Sequence, residues 1–336
     1  MTNLQLTLPS DIPARSTLVV GISGGCDSVA LLYLLSQQNH KVFKRLVAAH
    51  VNYGLRGEES ATDEALVRRF CVQQNIPLKV LRLRGFKKRI EKQKLSLQDE
   101  ARKVRYSFFS RIVQVEKAWG VAVAHHLEDQ AETVLDRFLR GAGAKGLTGL
   151  RDIQVFKLNN AKPLQVWRPL LGKQKEDLKE YLKLQGVNWR EDRSNQKLDY
   201  RRNQIRHQIL PFLKQWHPNL VESLSRMGDV ASTEDSFLEQ RTSEVGSKLK
   251  GRWTTKNYSC PGKAFQAMPL VFRRRWVRQV AEKLNGDARG LSFERVELIL
   301  RLWAAQEKGP RDVGYGLSAG LLDGRVYLQN RGLPKR

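Results

Sequence analysis

Leu18-Val19-Val20-Gly21-Ile22-Ser23-Gly24-Gly25-Cys26-Asp27-Ser28 is the stretch whose reading decides the fold. A short β-prone apolar run ends in a glycine pair, and the residues after it place Val29, Leu32 and Leu35 at helical spacing. That is a strand, a Gly-rich loop and a helix start in immediate succession. Gly24 and Gly25 let backbone N–H groups turn toward an anion with no Cβ in the way. Asp27 and Ser28 open a helix whose first amides and dipole favour phosphate. No Gly-Lys-Ser/Thr follows, so the loop is not a Walker A loop, and it is not G-x-G-x-x-G either. An ordinary βα turn capped by Ser or Asp is the bland reading of the same residues.

Downstream, short continuous apolar runs alternate with helical patterns, the mark of βαβ units around a buried parallel sheet. Strands are expected at residues 46–51, 78–83, 121–124 and 164–167, and helices at 27–37, 60–74 and 127–140. Beyond Pro211 the pattern changes to amphipathic helices at 219–249, 268–284 and 293–306, closed by a hairpin around Asp323-Gly324. The expected architecture is α/β. A parallel-sheet, Rossmann-like N-terminal domain (residues 1–215) is followed by a smaller, mainly helical domain with a C-terminal hairpin (residues 216–336).

Charge narrows the class of partner. The chain has 336 residues, 59 Lys+Arg against 34 Asp+Glu and a net charge of +25. A field of that sign and size draws polyanions and binds them by counterion release. From Arg82 to Arg105 ten basic residues face three acidic ones, a density suited to an RNA backbone. Only three cysteines occur, with no C-x-x-C, which argues against a disulfide scaffold, a zinc ribbon and a Cys-ligated cluster. No leader pattern or apolar run of spanning length is visible, so a cytoplasmic protein without membrane attachment is expected. Self-association as a homodimer stays open.

The string Ser23-Gly24-Gly25-Cys26-Asp27-Ser28 resembles the pyrophosphate loop of the N-type ATP pyrophosphatases, whose domain is Rossmann-like and of the adenine nucleotide α hydrolase type. Further strings narrow the likeness: His50-Val51-Asn52-Tyr53-Gly54-Leu55-Arg56, Gln98 to Tyr106, His125 to Thr133 leading into Phe138 to Gly143, Arg168-Pro169-Leu170-Leu171, Glu191 to Asn195, and Tyr200 to Arg206. In this order and spacing, over roughly residues 15–218, they resemble the catalytic domain of the tRNA(Ile)-lysidine synthases. Three positions depart from that pattern: Tyr53 replaces a histidine, Glu128 an aspartate and Gln204 a frequent arginine.

What the resemblance implies is a ligase. It would adenylate the C2 oxygen of the wobble cytidine in a CAU-anticodon isoleucine tRNA, then join free L-lysine there, releasing AMP and diphosphate. ATP and Mg²⁺ would be its cofactors. Ser23, Gly24, Gly25, Cys26, Asp27, Ser28, His50 and Asn52 would bind ATP. Asp27 would act as a base or hold Mg²⁺, with helix capping as its alternative role. Asp129 and Glu132 share a helix face with Asp136. They suit a Mg²⁺ clamp, Asp129 above all, or recognition of the lysine ammonium, with a solvated acidic face as the alternative. His125 and His126, directly after a strand, reach the carboxyl end of the sheet; His126 is taken as catalytic. Arg105 would stabilise charge on the adenylate or the diphosphate. Lys87, Lys88, Arg89, Arg202, Arg206 and Arg274 would contact the tRNA. Another tRNA-modifying enzyme of the group, such as a thiolase, and a non-catalytic RNA-binding module are the rivals. A thiolase would need a cysteine pair that the sequence lacks.

Overall fold

The computed structural model of the chain describes residues 4–156, 162–190, 201–286, 290–305 and 309–332, leaving aside the side chains of 38–42. It divides into two units, Met1–Ser232 and Thr233–Arg336.

The first unit is built on β1 (Ser16–Gly21), β2 (Phe43–Asn52), β3 (Leu78–Arg82), β4 (Gly120–Ala122), β5 (Ile153–Phe156) and β6 (Leu164–Trp167). They form one sheet in the order β3-β2-β1-β4-β6-β5. All neighbours run parallel except β5, which pairs antiparallel with β6 at the edge. Its helices are α1 (Cys26–Val42), α2 (Glu58–Gln73), α3 (Phe86–Lys92), α4 (Leu97–Val115), α5 (Leu127–Leu139), α6 (Ala144–Leu147), α7 (Lys175–Leu184), α8 (Arg201–Gln204) and α9 (Leu210–Trp216). A π-helical turn, Ile205–Ile209, links α8 to α9.

Alternation along β1 gives the sheet two apolar faces. Leu18 and Val20 pack with Val29, Leu32 and Leu35 of α1, Val67 and Phe70 of α2, and Leu178 and Leu182 of α7. Val19 packs on the other side with Tyr106, Phe109 and Ile112 of α4. Both faces are covered, which is why the strands read as unbroken apolar runs rather than alternating ones. The order of strands reverses between β1 and β4, since β2 and β3 lie on one side of β1 and β4 and β6 on the other. Chain leaving β1 and chain leaving β4 therefore flank one crevice at the carboxyl edge, the switch point where open α/β sheets take ligands.

The second unit holds α10 (Leu220–Ser247) from its middle onward, then α11 (Gly262–Gln266), α12 (Leu270–Asn285) and α13 (Phe293–Ala304). Besides the expected hairpin it has a whole antiparallel sheet. β7 (Arg252–Trp253), β8 (Asn257–Pro261), β9 (Arg311–Gly314), β10 (Leu317–Leu322) and β11 (Arg325–Asn330) lie in the order β7-β8-β11-β10-β9. β10 and β11 form the hairpin read from the sequence, and Asp323 (φ 49°) and Gly324 (φ 72°) make its two-residue turn. β7 to β9 are two to five residues long, too short to show a period in the sequence. The units divide inside α10 because its first turns belong to the first core. Val221 packs with Leu127 and Ala131, and a Cβ on Gly228 would stand 3.1 Å from Val134 Cγ2.

Leu32 has no exposed surface and sits at the centre of the larger core. Leu32→Ala is expected to cost about 2–5 kcal/mol, read from urea unfolding of the full chain. A cost under about 1 kcal/mol would mean that α1 does not close on the sheet as described.

Candidate active site

The loop after β1 is held from within. Ser28 Oγ accepts from the N–H of Ser23 (3.0 Å) and of Gly24 (3.2 Å) and donates to the Gly25 carbonyl (3.0 Å). Its hydroxyl therefore shapes the loop. Gly24 lies at φ +96°, where a side chain is strained, and a Cβ there would also meet Val67 at 3.4 Å. Gly25 has no such φ, and its backbone forms a parallel bridge with Arg190. The first-turn amides at Cys26, Asp27 and Ser28 precede the i→i−4 ladder and remain available to an anion.

Arg190 is the residue that reading the sequence missed. Its N–H donates to the Gly24 carbonyl (3.1 Å), and its guanidinium reaches Asp63 Oδ1 (2.9 Å) and the Glu59 carbonyl (3.0 Å) on α2. Arg56 binds the other oxygen of Asp63 at 3.1 Å. The loop is thus strapped to α2 by a side chain over 160 positions away in sequence, at the end of the run 162–190. The neighbouring string Glu191 to Asn195, with Tyr200, lies outside the described residues.

Across the crevice, β4 leads into α5 through two histidines that the fold treats oppositely. His126 is buried, with its Nδ1–H donating to Glu128 Oε2 (2.8 Å) and its Nε2 at 3.6 Å from Asp27 Oδ2 and 3.4 Å from Asp129 Oδ2. Desolvation alone would lower its pKa. The hydrogen bond to Glu128 and the charges of Asp129 and Asp27 outweigh it and hold the ring above its ordinary value. His125 accepts at Nδ1 from Arg168 Nε (3.2 Å). Desolvation, with the charges of Arg168, Arg105 and Arg202, pushes it down to about 3, so it is a neutral ring whose Nε2–H is a donor.

Asp27 stands where both sides of the crevice meet, with 28% of its side chain exposed. Burial raises its pKa, only partly offset by His126 and Lys175. Its Oδ1 is buried without a hydrogen-bond partner among the described residues. Asp129 and Glu132, one turn apart on α5, are nearly covered. Asp129 Oδ1 accepts from Arg202 Nη2 (2.7 Å) and Arg206 Nη2 (2.9 Å), and Glu132 accepts from Arg202 Nε (2.9 Å) and Arg206 Nε (2.5 Å). Asp129 Oδ2 accepts the His126 backbone N–H at 3.1 Å. Burial would raise Asp129, but His126, Arg202, His125 and Arg206 hold it far below the usual carboxylate range. The two arginines, expected to present a cationic face to RNA, are turned onto this acidic pair. Asp136 pairs with Arg201 (2.7 Å) and Arg140 (3.0 Å) instead of joining it.

The remaining expected residues fall in three places. His50 is buried, donates from Nδ1 to the Ile22 carbonyl (2.9 Å), and has a buried Nε2 without a partner among the described residues; desolvation lowers its pKa. Asn52 is spent on structure, donating to Glu64 Oε2 and the Ser60 carbonyl (both 3.1 Å). Tyr53, at the departure from the family pattern, bolts its hydroxyl to the Ala101 carbonyl (2.9 Å) and its ring to Phe86. Arg105 keeps a buried Nε with no partner among the described residues. Lys87, Lys88 and Arg89 are exposed on α3. In the second unit Arg274 pairs with Glu297 (2.7 Å) over the Phe293 ring.

A magnesium ion is matched by Asp27 alone. Its orphaned oxygen offers one hard ligand beside a phosphate loop, the usual arrangement when substrate phosphates supply the others. Both oxygens of Asp129 are engaged, and no cluster of three or more His, Cys, Asp or Glu able to hold a metal occurs among the described residues. All three cysteines are buried and unpaired, and burial, then the Asp27 charge, pushes the Cys26 thiol up to about 12. A neutral buried thiol is no sulfur carrier.

Fold and site together define an ATP-binding α/β domain with a strand–loop–helix phosphate cradle. The chain belongs to the PP-loop domain family, matched over residues 2–213. It is 33% identical to a tRNA(Ile)-lysidine synthase of Geobacter sulfurreducens over 88% of this chain and 60% of that one. The like-named protein of Rhodopirellula baltica is 37% identical, covering 70% of this chain and 60% of its own length. That of Bacillus subtilis is 31% identical over 89% and 61%. The chain thus spans about 60% of the length of the curated relatives it matches. The fold also matches the iron–sulfur U34-tRNA thiolase NcsA of Methanococcus maripaludis, with a TM-score of 0.56 at 20% identity, over 68% of this chain and 76% of that one. No helix among the described residues is long and apolar enough to cross a membrane.

Two outcomes test this site. Arg190→Ala should weaken ATP binding about tenfold by calorimetry, the weight of roughly 1.4 kcal/mol, with part recovered in Arg190→Lys; unchanged affinity would make the strap irrelevant to the loop. A raised His126 pKa stabilises the folded state fully below its ordinary 6.5 and loses that effect as pH rises through the folded value. The stability difference between wild type and His126→Asn should therefore be level below that point and shrink above it. A difference that grows with pH would mean the ring is neutral.

Proposed function

We propose that the chain ligates free L-lysine to C2 of the wobble cytidine in a CAU-anticodon isoleucine tRNA, through an adenylated cytidine, releasing AMP and diphosphate. One observation carries the reading: a phosphate loop and a half-buried carboxylate whose Oδ1 has no partner among the described residues, Asp27, share the sheet's switch point with a histidine of raised pKa, a neutral imidazole donor and a covered acidic pair. The names of the relatives supply the particular substrate.

The C2 carbonyl of cytidine is urea-like and a poor electrophile, and transfer of AMP to its oxygen makes a leaving group. The first-turn amides of α1 cradle the phosphates of ATP. His50 Nε2, a buried acceptor without a donor, suits a hydroxyl or exocyclic amine of the nucleotide. Asp27 and the ATP phosphates would hold Mg²⁺, which would supply charge neutralisation during transfer. His125 donates its Nε2–H, and Arg105 with its unpaired Nε adds positive charge, where oxyanion charge develops.

The lysine amine, with a solution pKa near ~10.4, must lose a proton before it attacks. Asp27 suits that step, because burial raises its basicity, with His126 offsetting part of that rise. Asp129 and Glu132 suit the ammonium of the substrate, with Arg202 and Arg206 as the cations it displaces or shares. Exposed Lys87, Lys88 and Arg89, with the net charge of +25, suit the phosphate backbone of the tRNA.

Radiolabelled lysine incubated with ATP, Mg²⁺ and CAU-anticodon isoleucine tRNA transcript should enter the RNA, and the label should vanish when the wobble cytidine is changed. Asp27→Asn should lose this activity by orders of magnitude without lowering the melting temperature, since the burial that raises its pKa disfavours the charged form. No label under any condition would sink the reading. Near-normal turnover by Asp27→Asn would reduce that residue to a helix cap.

A further inference from the structure

Three guanidinium groups gather beside His125; the charge of Asp152 acts on Arg168, but among the described residues no carboxylate is paired with the other two. Arg102 and Arg105 lie one turn apart on α4, and Arg168 follows β6. Arg102 is centred 4.6 Å over the Tyr106 ring and 5.6 Å from the Phe156 ring, Arg105 lies 5.6 Å from Tyr106, and Arg168 lies 6.0 Å from Phe156. Arg168 is fully buried and spends its donors on the Arg151 carbonyl (2.6 Å), Gln154 Oε1 (3.1 Å) and His125 Nδ1 (3.2 Å). Three of its five N–H groups are spent in this way, and its charge stays. Among the described residues no carboxylate pairs with Arg102 or Arg105. Burial first, then the charges of Arg105 and Arg202, push the Arg102 guanidinium below its ordinary value.

An arginine cannot shed its proton to escape such a place. Aromatic faces return part of the desolvation cost, and the remainder is a standing penalty in the free protein. An arriving oxyanion would remove it, with the guanidinium fork giving two parallel hydrogen bonds. α4 also continues the basic stretch of α3, whose Lys87, Lys88 and Arg89 are exposed. A run of exposed cations ending at a half-buried, unbalanced one follows a chain of phosphates better than a single small carboxylate.

We propose that Arg102, backed by the charges of Arg105 and Arg168, is a second oxyanion site, distinct from the phosphate loop, that takes a backbone phosphate of the RNA strand beside the nucleotide being adenylated. The proposal rests on RNA being the substrate. A wobble base drawn out of its stack leaves its flanking phosphates exposed, and anchoring one of them fixes where the base lands.

The test uses the full chain and the CAU-anticodon isoleucine tRNA transcript, titrated between about 50 and 200 mM salt. Arg102→Met should weaken RNA binding about tenfold and make the slope of log K against log salt shallower by about 0.7, one phosphate contact on a single strand. ATP affinity should not change, and the RNA-free melting temperature should stay level or rise, because an unbalanced buried charge has gone. Arg102→Lys should keep the slope while losing part of the affinity. Equal RNA affinity and slope in wild type and Arg102→Met would overturn the proposal, as would a fall in melting temperature that accounts for weaker binding. A raised KM for lysine, with that for cadaverine unaltered, would overturn it in favour of the amino-acid carboxylate. A wild type that binds this RNA but incorporates no lysine would sink the lysidine reading alone and leave the phosphate site standing.

Discussion

A charge removed from water must find a partner, be held in place by its neighbours, or wait for a ligand, and the carboxyl edge of this sheet contains all three cases. The carboxylates of Asp129 and Glu132 have found theirs in Arg202 and Arg206. The three carboxylates around His126 favour its charged form. Asp27 Oδ1, His50 Nε2 and Arg105 Nε are buried with no hydrogen-bond partner among the described residues. Unsatisfied groups of this kind are costly and few in folded proteins, and three of them around one crevice mark where the fold gives up stability for binding.

The sheet decides where this happens. Because β1 and β4 are neighbours while their connections leave to opposite sides, the phosphate loop and the paired histidines face each other without any long loop having to fold over. Adjacent residues then receive opposite electrostatics from one helix start. His126 caps α5 among acids and has its pKa raised, whereas His125 faces the arginines and is neutral. Neighbouring imidazoles whose environments push their pKa values apart suit different roles in one site.

Much of the first unit is legible in the sequence because its signals are local. Continuous apolar runs mark β1, β2, β4 and β6, and the loop declares itself through Gly24, whose left-handed φ admits little else. The pairing of Asp129 and Glu132 on one helix face follows from their spacing alone. Partners distant in sequence are not legible. Nothing near Gly24 points to Arg190, and nothing near His125 points to Arg168. Nor can spacing tell a free arginine from an engaged one: Arg202 and Arg206 read as a cationic face, yet their charge is spent inside the site. In the second unit the Asp323-Gly324 turn is readable because its geometry demands those residues, while β7, β8 and β9 are assembled only by their neighbours.

The account turns on which oxygen the AMP is transferred to. Tested most directly, the transcript would carry a wobble cytidine labelled with oxygen-18 at C2, and the AMP released on addition of ATP and lysine would be weighed by mass spectrometry. Base adenylation predicts that the heavy oxygen leaves with AMP, one atom for each lysine joined. Heavy oxygen retained in the RNA, with AMP carrying oxygen from the lysine carboxylate or from water, would contradict it.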